Sequence, residues 1–230
     1  VAQGFKVVGL IEEIRYTASS GACPMFCLCQ PTHPSWITVA FHNLDALLAD
    51  HAHCEVKAAT TALSLALKNH QDLDVVLTLS RLAQEEVDHF ARVVAFMKRR
   101  GISLGQPPSD EYATQLRKAI GQLGACPCDP LVDRMLVGAL IEARSCERFK
   151  LLLEAWPKED DTADSAELRG FYRELFECEA KHYTQYRNLA VHVAKQPASV
   201  VDTRLAQLAV LEGQIIAELG ARLPSPSVHG

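Results

Sequence analysis

The feature that most constrains this chain is a repeated spacing. Gln84-Glu85-Glu86-Val87-Asp88-His89 stands in the middle of one long run with helical periodicity, and Glu179-Ala180-Lys181-His182 stands in a second. Residues three apart on a helix project from one face, a turn apart, so Glu86 aligns with His89 and Glu179 with His182. Upstream of each motif lies another apolar helical run with a glutamate in its interior, Glu55 before the first and Glu142 before the second. A carboxylate among leucines is costly unless it is paired or metal-bound. Two helices giving one Glu each and two giving Glu-x-x-His each supply the ligands of a di-iron or di-manganese carboxylate four-helix bundle. One Glu-x-x-His alone reads as surface charge. All six residues in this order, each on an apolar face, read as metal ligands. Four carboxylates and two imidazoles suit iron or manganese better than copper or structural zinc.

The surrounding pattern is helical throughout. Ser35 is placed to cap a short helix from Trp36, and helical spacing then runs over residues 43–69. Asp72 or Asp74 starts the next helix, which Gly101 ends after Lys98, Arg99 and Arg100. Pro107 and Pro108 break the chain before a shorter amphipathic segment at 111–123. Long helices follow at 131–156 and 165–194, and a last helix at 202–222. Glu55 precedes Glu86 by 31 positions and Glu142 precedes Glu179 by 37, so each gap fits two antiparallel helices and their turn. A crossover through residues 101–130 joins the two halves. The expected fold is all-α, a ferritin-like four-helix bundle with a crossover connection and extra helices. Residues 1–35 are read as an N-terminal extension, 36–196 as the bundle, and 197–230 as a C-terminal helix and tail packing on it.

Composition narrows the function. Of 230 residues, 48% are hydrophobic and 22% charged, ordinary for a soluble globular chain. No apolar stretch reaches the roughly 20 residues of a membrane span. Residues 1–15 carry Glu12 and Glu13 without a cleavage signature, so a cytoplasmic location is expected. The eight cysteines sit in a long helix-rich chain and are read mostly as reduced thiols. Cys23, Cys27 and Cys29 lack a clear second pair for zinc. The net charge of −5 gives no global attraction to nucleic acid. Arg92, Lys98, Arg99 and Arg100 are the local cationic candidates for RNA phosphates, although the helix dipole favours cations there in any case.

Four blocks carry a resemblance: LDALLADHAHCEVKAATTALSL, SRLAQEEVDHFARVVAFMKRRGI, LVGALIEARSCERF and FYRELFECEAKHY. They are similar to those of the MiaE-like tRNA hydroxylases over residues 36–194, most specifically in IEARSCERF and MKRRG. The resemblance implies an O2-dependent enzyme that hydroxylates the isopentenyl group of 2-methylthio-isopentenyladenosine beside the anticodon. It further implies two irons held by Glu55, Glu86, His89, Glu142, Glu179 and His182, which would act through the metals, and electrons from an external donor protein. Groups orienting the histidines are sought near Asp88 and Lys181, while Glu85 is read as pointing elsewhere on its helix. Tyr183 and Tyr186 are candidates to stack on a splayed base or to fill the core. Two other classes share the scaffold: a redox enzyme acting on a small molecule, and a non-catalytic iron-binding or storage protein.

Overall fold

The computed structural model describes residues 25–126, 128–157, 162–222 and 228, and all regular structure among them is helical. Helices α1 (Ser35–His42), α2 (Leu44–Lys68) and α3 (Leu73–Arg100) are followed by α4 (Glu111–Ala119), which tightens into a 3-10 turn at Ile120–Leu123. Then come α5 (Pro130–Ala155), α6 (Ala163–Ala194) and α7 (Ala198–Ala221). Local chemistry sets these boundaries. Asp72 accepts from the Val75 amide at 3.2 Å and Asp110 from the Ala113 amide at 2.9 Å, each satisfying an orphan donor of a first turn. Asp129 caps α5 ahead of Pro130, and Thr162 caps α6. Gly101 ends α3 at φ +68°, a left-handed turn that a side chain would strain.

Two boundaries differ from expectation. Ser35 is the first residue of α1 rather than its cap, and its Oγ lies 2.6 Å from His33 Nδ1. Helix α7 starts at Ala198, four residues before the expected 202, because Pro197 serves as its N-cap instead of separating it from a linker. The expectations for residues 1–15 lie outside the described residues.

Helices α2 and α3 form one hairpin and α5 and α6 the other, joined by the crossover that carries α4. Ion pairs from Arg92 to Glu174 and from Arg99 to Glu167 tie α3 antiparallel to α6. The bundle interior divides into two apolar clusters. One holds Leu47, Leu48, Val93, Phe96, Phe149, Leu168, Phe171 and Tyr172; the other holds Leu65, Leu79, Leu82, Leu136, Leu140, Tyr186 and Leu189. Each fully buried side chain of this size contributes about 1.5–3 kcal/mol. Between the clusters lies a layer of buried carboxylates and imidazoles.

Helix α7 is bolted to α5 by two Arg–carboxylate pairs running in opposite senses. Arg144 on α5 grips Glu212 on α7 at 2.8 and 2.9 Å, and Arg204 on α7 grips Asp133 on α5 at 2.8 and 2.9 Å. Arg144 also donates to the Gln30 carbonyl and pairs with Glu147, which accepts from the Thr32 amide at 3.0 Å. The segment before α1 therefore lies against α5 and α7. Gly213 permits this approach, since an added Cβ would stand 3.2 Å from Gln30.

Candidate metal centre

The four long helices bring all six sequence candidates into that polar layer. Glu55 comes from α2, Glu86 and His89 from α3, Glu142 from α5, and Glu179 and His182 from α6. They fall into two overlapping groups, Glu55–Glu86–His89–Glu179 and Glu86–Glu142–Glu179–His182, with the polar atoms of each group within 4.8 Å of one another. Glu86 and Glu179 belong to both groups. Each half thus offers one private carboxylate, one imidazole and two shared carboxylates, an arrangement that can hold two cations side by side.

The electrostatics call for cations. All four glutamates are buried, with Glu86 only 1% exposed. Burial raises the Glu86 and Glu142 carboxyls above their ordinary range, and neighbouring carboxylates push the same way. Burial also disfavours charge on Glu55, but the His51 imidazole at 2.5 Å outweighs it and holds that group at about 2. Glu86 Oε1 and His89 Nδ1 are buried without a hydrogen bond, although other polar atoms of the cluster stand close by. Buried polar atoms are nearly always satisfied. Two converging ligand atoms left without a hydrogen bond fit a metal between them.

Outer contacts orient the ligands. His182 turns Nδ1 inward, 2.7 Å from Glu86 and 3.1 Å from Glu179, and turns Nε2 outward to Glu85 at 3.2 Å and Cys178 at 3.6 Å. Donation of the Nε2 proton to Glu85 leaves the Nδ1 lone pair facing the site, and this same bond holds the Glu85 carboxyl at about 2. Glu85 was expected to point away, yet its partner is a ring on the neighbouring helix, a contact invisible within one helix. Asp88 and Lys181 are exposed. On the other half, His51 stacks on Tyr172, 5.6 Å between ring centres, and fixes Glu55. Glu85→Ala is expected to weaken metal affinity about 10–100-fold without unfolding the chain, as chelator competition would measure. Unchanged affinity would mean that Glu85 plays no orienting part.

Other candidates are placed differently. Glu147, five residues along from Glu142 and by spacing a weaker competitor for its place, bonds Thr32 and Arg144 and joins none of the metal-competent groups among the described residues. Arg92 pairs with Glu174 at 2.6 Å over the Phe171 ring, Arg99 with Glu167 at 2.9 Å over Phe96, and Arg100 with Asp164 at 2.6 Å, while Lys98 is exposed. Three of these four cations are thus offset by α6 carboxylates and do not form an open basic patch. Tyr183 stacks on Phe26 at 4.3 Å, and Tyr186 is buried against Gly138. The described cysteines are free thiols. Cys27 and Cys29 join none of the metal-competent groups among the described residues, and Cys23 lies outside them.

The family model for tRNA-(MS2IO6A)-hydroxylase matches residues 23–227. The chain belongs to the MiaE family. The match extends beyond the 36–194 expected, and the Arg144 network shows why: its partners Gln30, Thr32 and Glu212 all lie outside that stretch. A MiaE-family relative from Pseudomonas putida, tRNA 2-(methylsulfanyl)-N(6)-isopentenyladenosine(37) hydroxylase, is 44% identical over 160 residues, covering 70% of this chain and 73% of its own. A protein of the same description from Salmonella typhimurium is 30% identical over 218 aligned positions, covering 74% and 77%. A solved structure described as Protein 43 with aldehyde deformylating oxygenase activity, from Synechococcus, has a TM-score of 0.76 and 34% identity. The likeness covers 90% of this chain and 96% of that one. No described helix is long and apolar enough to cross a membrane.

Proposed function

We propose that this chain is an O2-dependent di-iron monooxygenase that hydroxylates the isopentenyl group of 2-methylthio-isopentenyladenosine in tRNA. The observation that carries the metal part is the pair of overlapping ligand groups sharing Glu86 and Glu179. The names of the Pseudomonas and Salmonella relatives support the substrate. In this reading Glu55, Glu86, His89, Glu142, Glu179 and His182 would hold the two irons, with Glu86 and Glu179 common to both ligand groups. Four carboxylates neutralise two divalent cations, which removes the repulsion that burial imposes on the bare cluster.

When bound, the irons supply reduction of O2: one oxygen atom enters a C–H bond of the prenyl group and the other leaves as water, with two electrons from an external donor protein and two protons. The protein's own residues do the rest. Glu85 and His51 hold first-layer ligands in orientation, which keeps the site geometry fixed through a redox cycle. The two apolar clusters above and below exclude bulk water from the layer. A cytoplasmic location follows from tRNA as the substrate.

A second reading, oxidation of a small molecule, is favoured by the Synechococcus neighbour. The two separate in a bacterial strain lacking its own tRNA hydroxylase. Expression of this chain is expected to convert the prenylated nucleoside in total tRNA to its hydroxylated form, while the Glu86→Ala variant leaves it unconverted. An unchanged nucleoside profile with the wild-type chain, beside metal-dependent turnover of an aldehyde, would replace the tRNA reading by the small-molecule one.

A further inference from the structure

Beneath α4 a cavity of about 240 Å³ runs between α2 and α5 and reaches Glu142. Its inner walls are largely apolar: Ala58 of α2, Ala113 of α4, Ile141 of α5, and the Tyr186 ring from α6. Gly138 is what admits that ring, since an added Cβ would stand 3.0 Å from it. The rim carries Lys57 and Arg117. Lys57 Nζ lies 3.4 Å from Asp110, whereas Arg117 donates only to Thr114 Oγ1 at 3.4 Å and, among the described residues, meets no carboxylate. Arg117 alone of the two differs in this from the paired cations of α3.

The side of the centre is also informative. His89 and His182 come from α3 and α6, as do the outer partners of His182, Glu85 and Cys178, while α2 and α5 contribute one carboxylate each to the two groups. The cavity approaches from the side of α2 and α5. Its volume falls below the roughly 300–1,000 Å³ of pockets that enclose a whole drug-sized ligand, so it suits the end group of a larger substrate.

We propose that this cavity receives the prenyl end of the modified adenosine, with Arg117 at the rim holding an adjoining phosphate. The assignment rests on the tRNA-hydroxylase reading. Hydrocarbon wall and cationic rim match the two chemistries such a nucleotide presents at once, and a splayed single-stranded base can present them in this order. Ala58 and Ile141 then set how bulky a group enters.

The test compares binding of two anticodon stem-loop RNAs to the full chain by fluorescence anisotropy, one carrying isopentenyladenosine and one plain adenosine. The wild type is expected to prefer the prenylated loop about tenfold, a fraction of what full burial of five carbons would allow. Ala58→Phe fills the cavity and should erase that preference and the turnover, with plain-loop affinity and iron content unchanged. Ile141→Phe repeats the test from the opposite wall should Ala58→Phe not fold. Arg117→Glu should weaken both loops alike and flatten the salt dependence. Full preference and turnover in a folded, cavity-filled variant, beside a wild type that hydroxylates the loop, would overturn the cavity assignment alone. A wild type that neither distinguishes the loops nor hydroxylates would overturn it together with the tRNA reading.

Discussion

Replacing Glu86 or Glu179 by alanine is expected to empty the whole centre, from about two irons per chain to nearly none, and to take turnover below detection. Each of these carboxylates belongs to both ligand groups, so its loss would take a ligand from both metals of the proposed centre at once. Glu55 and Glu142 each belong to one group, and Glu55→Ala or Glu142→Ala should retain metal in the opposite half. Stability should follow the same pattern. A ligand that binds only the folded chain stabilises it by about 2.7 kcal/mol at a hundred times its dissociation constant, and that gain should vanish in the two shared-site variants. Their metal-free forms should not lose the same amount, because a buried carboxylate facing others of like charge is itself unfavourable. Metal analysis and thermal unfolding with and without iron read both effects. Equal metal loss from all four variants would contradict the shared arrangement.

The second large effect lies away from the centre. Arg144→Leu is expected to destabilise the chain by about 3–5 kcal/mol, the range for breaking a buried ion pair by removing one partner. Arg144 is fully buried and serves Glu212, Glu147 and the Gln30 carbonyl together. Its loss strands Glu212, 0% exposed, with only the Tyr112 hydroxyl at 3.0 Å among the described residues. Replacing both partners, as Arg144→Leu with Glu212→Leu, should cost clearly less than the single change, since Glu212 is then no longer left buried without its cation. Urea unfolding with an unchanged slope checks this, and a single-variant loss under about 1 kcal/mol would mean that the network is not what holds α7 and the 25–34 segment to the bundle.

How far the residue pattern alone reaches depends on where each contact lies. The placement of Glu86 with His89, and of Glu179 with His182, follows from spacing within one helix, and periodicity likewise located the long helices to within a residue or two. The caps at Asp72 and Gly101 are local chemistry and were readable for the same reason. What escaped is long-range. Glu85 bonds His182 across 97 positions, and nothing on its own helix signals that partner. The cations Arg92, Arg99 and Arg100 are an open patch by sequence, yet they are neutralised by α6 once the two helices lie antiparallel. The IEARSCERF block is distinctive in sequence, but its reason is the fold: Arg144 and Glu147 join α5 to α7 and to the chain before α1.

The most direct measurement supplies the purified, iron-loaded chain with an electron donor, isopentenylated tRNA and isotopically heavy O2, and then weighs the nucleosides by mass spectrometry. One heavy oxygen atom is expected in the prenyl group of the modified adenosine, and none with the Glu86→Ala variant. Prenylated tRNA returned unchanged by an enzyme that holds its two irons, or oxygen drawn from water instead of O2, would contradict the proposed function.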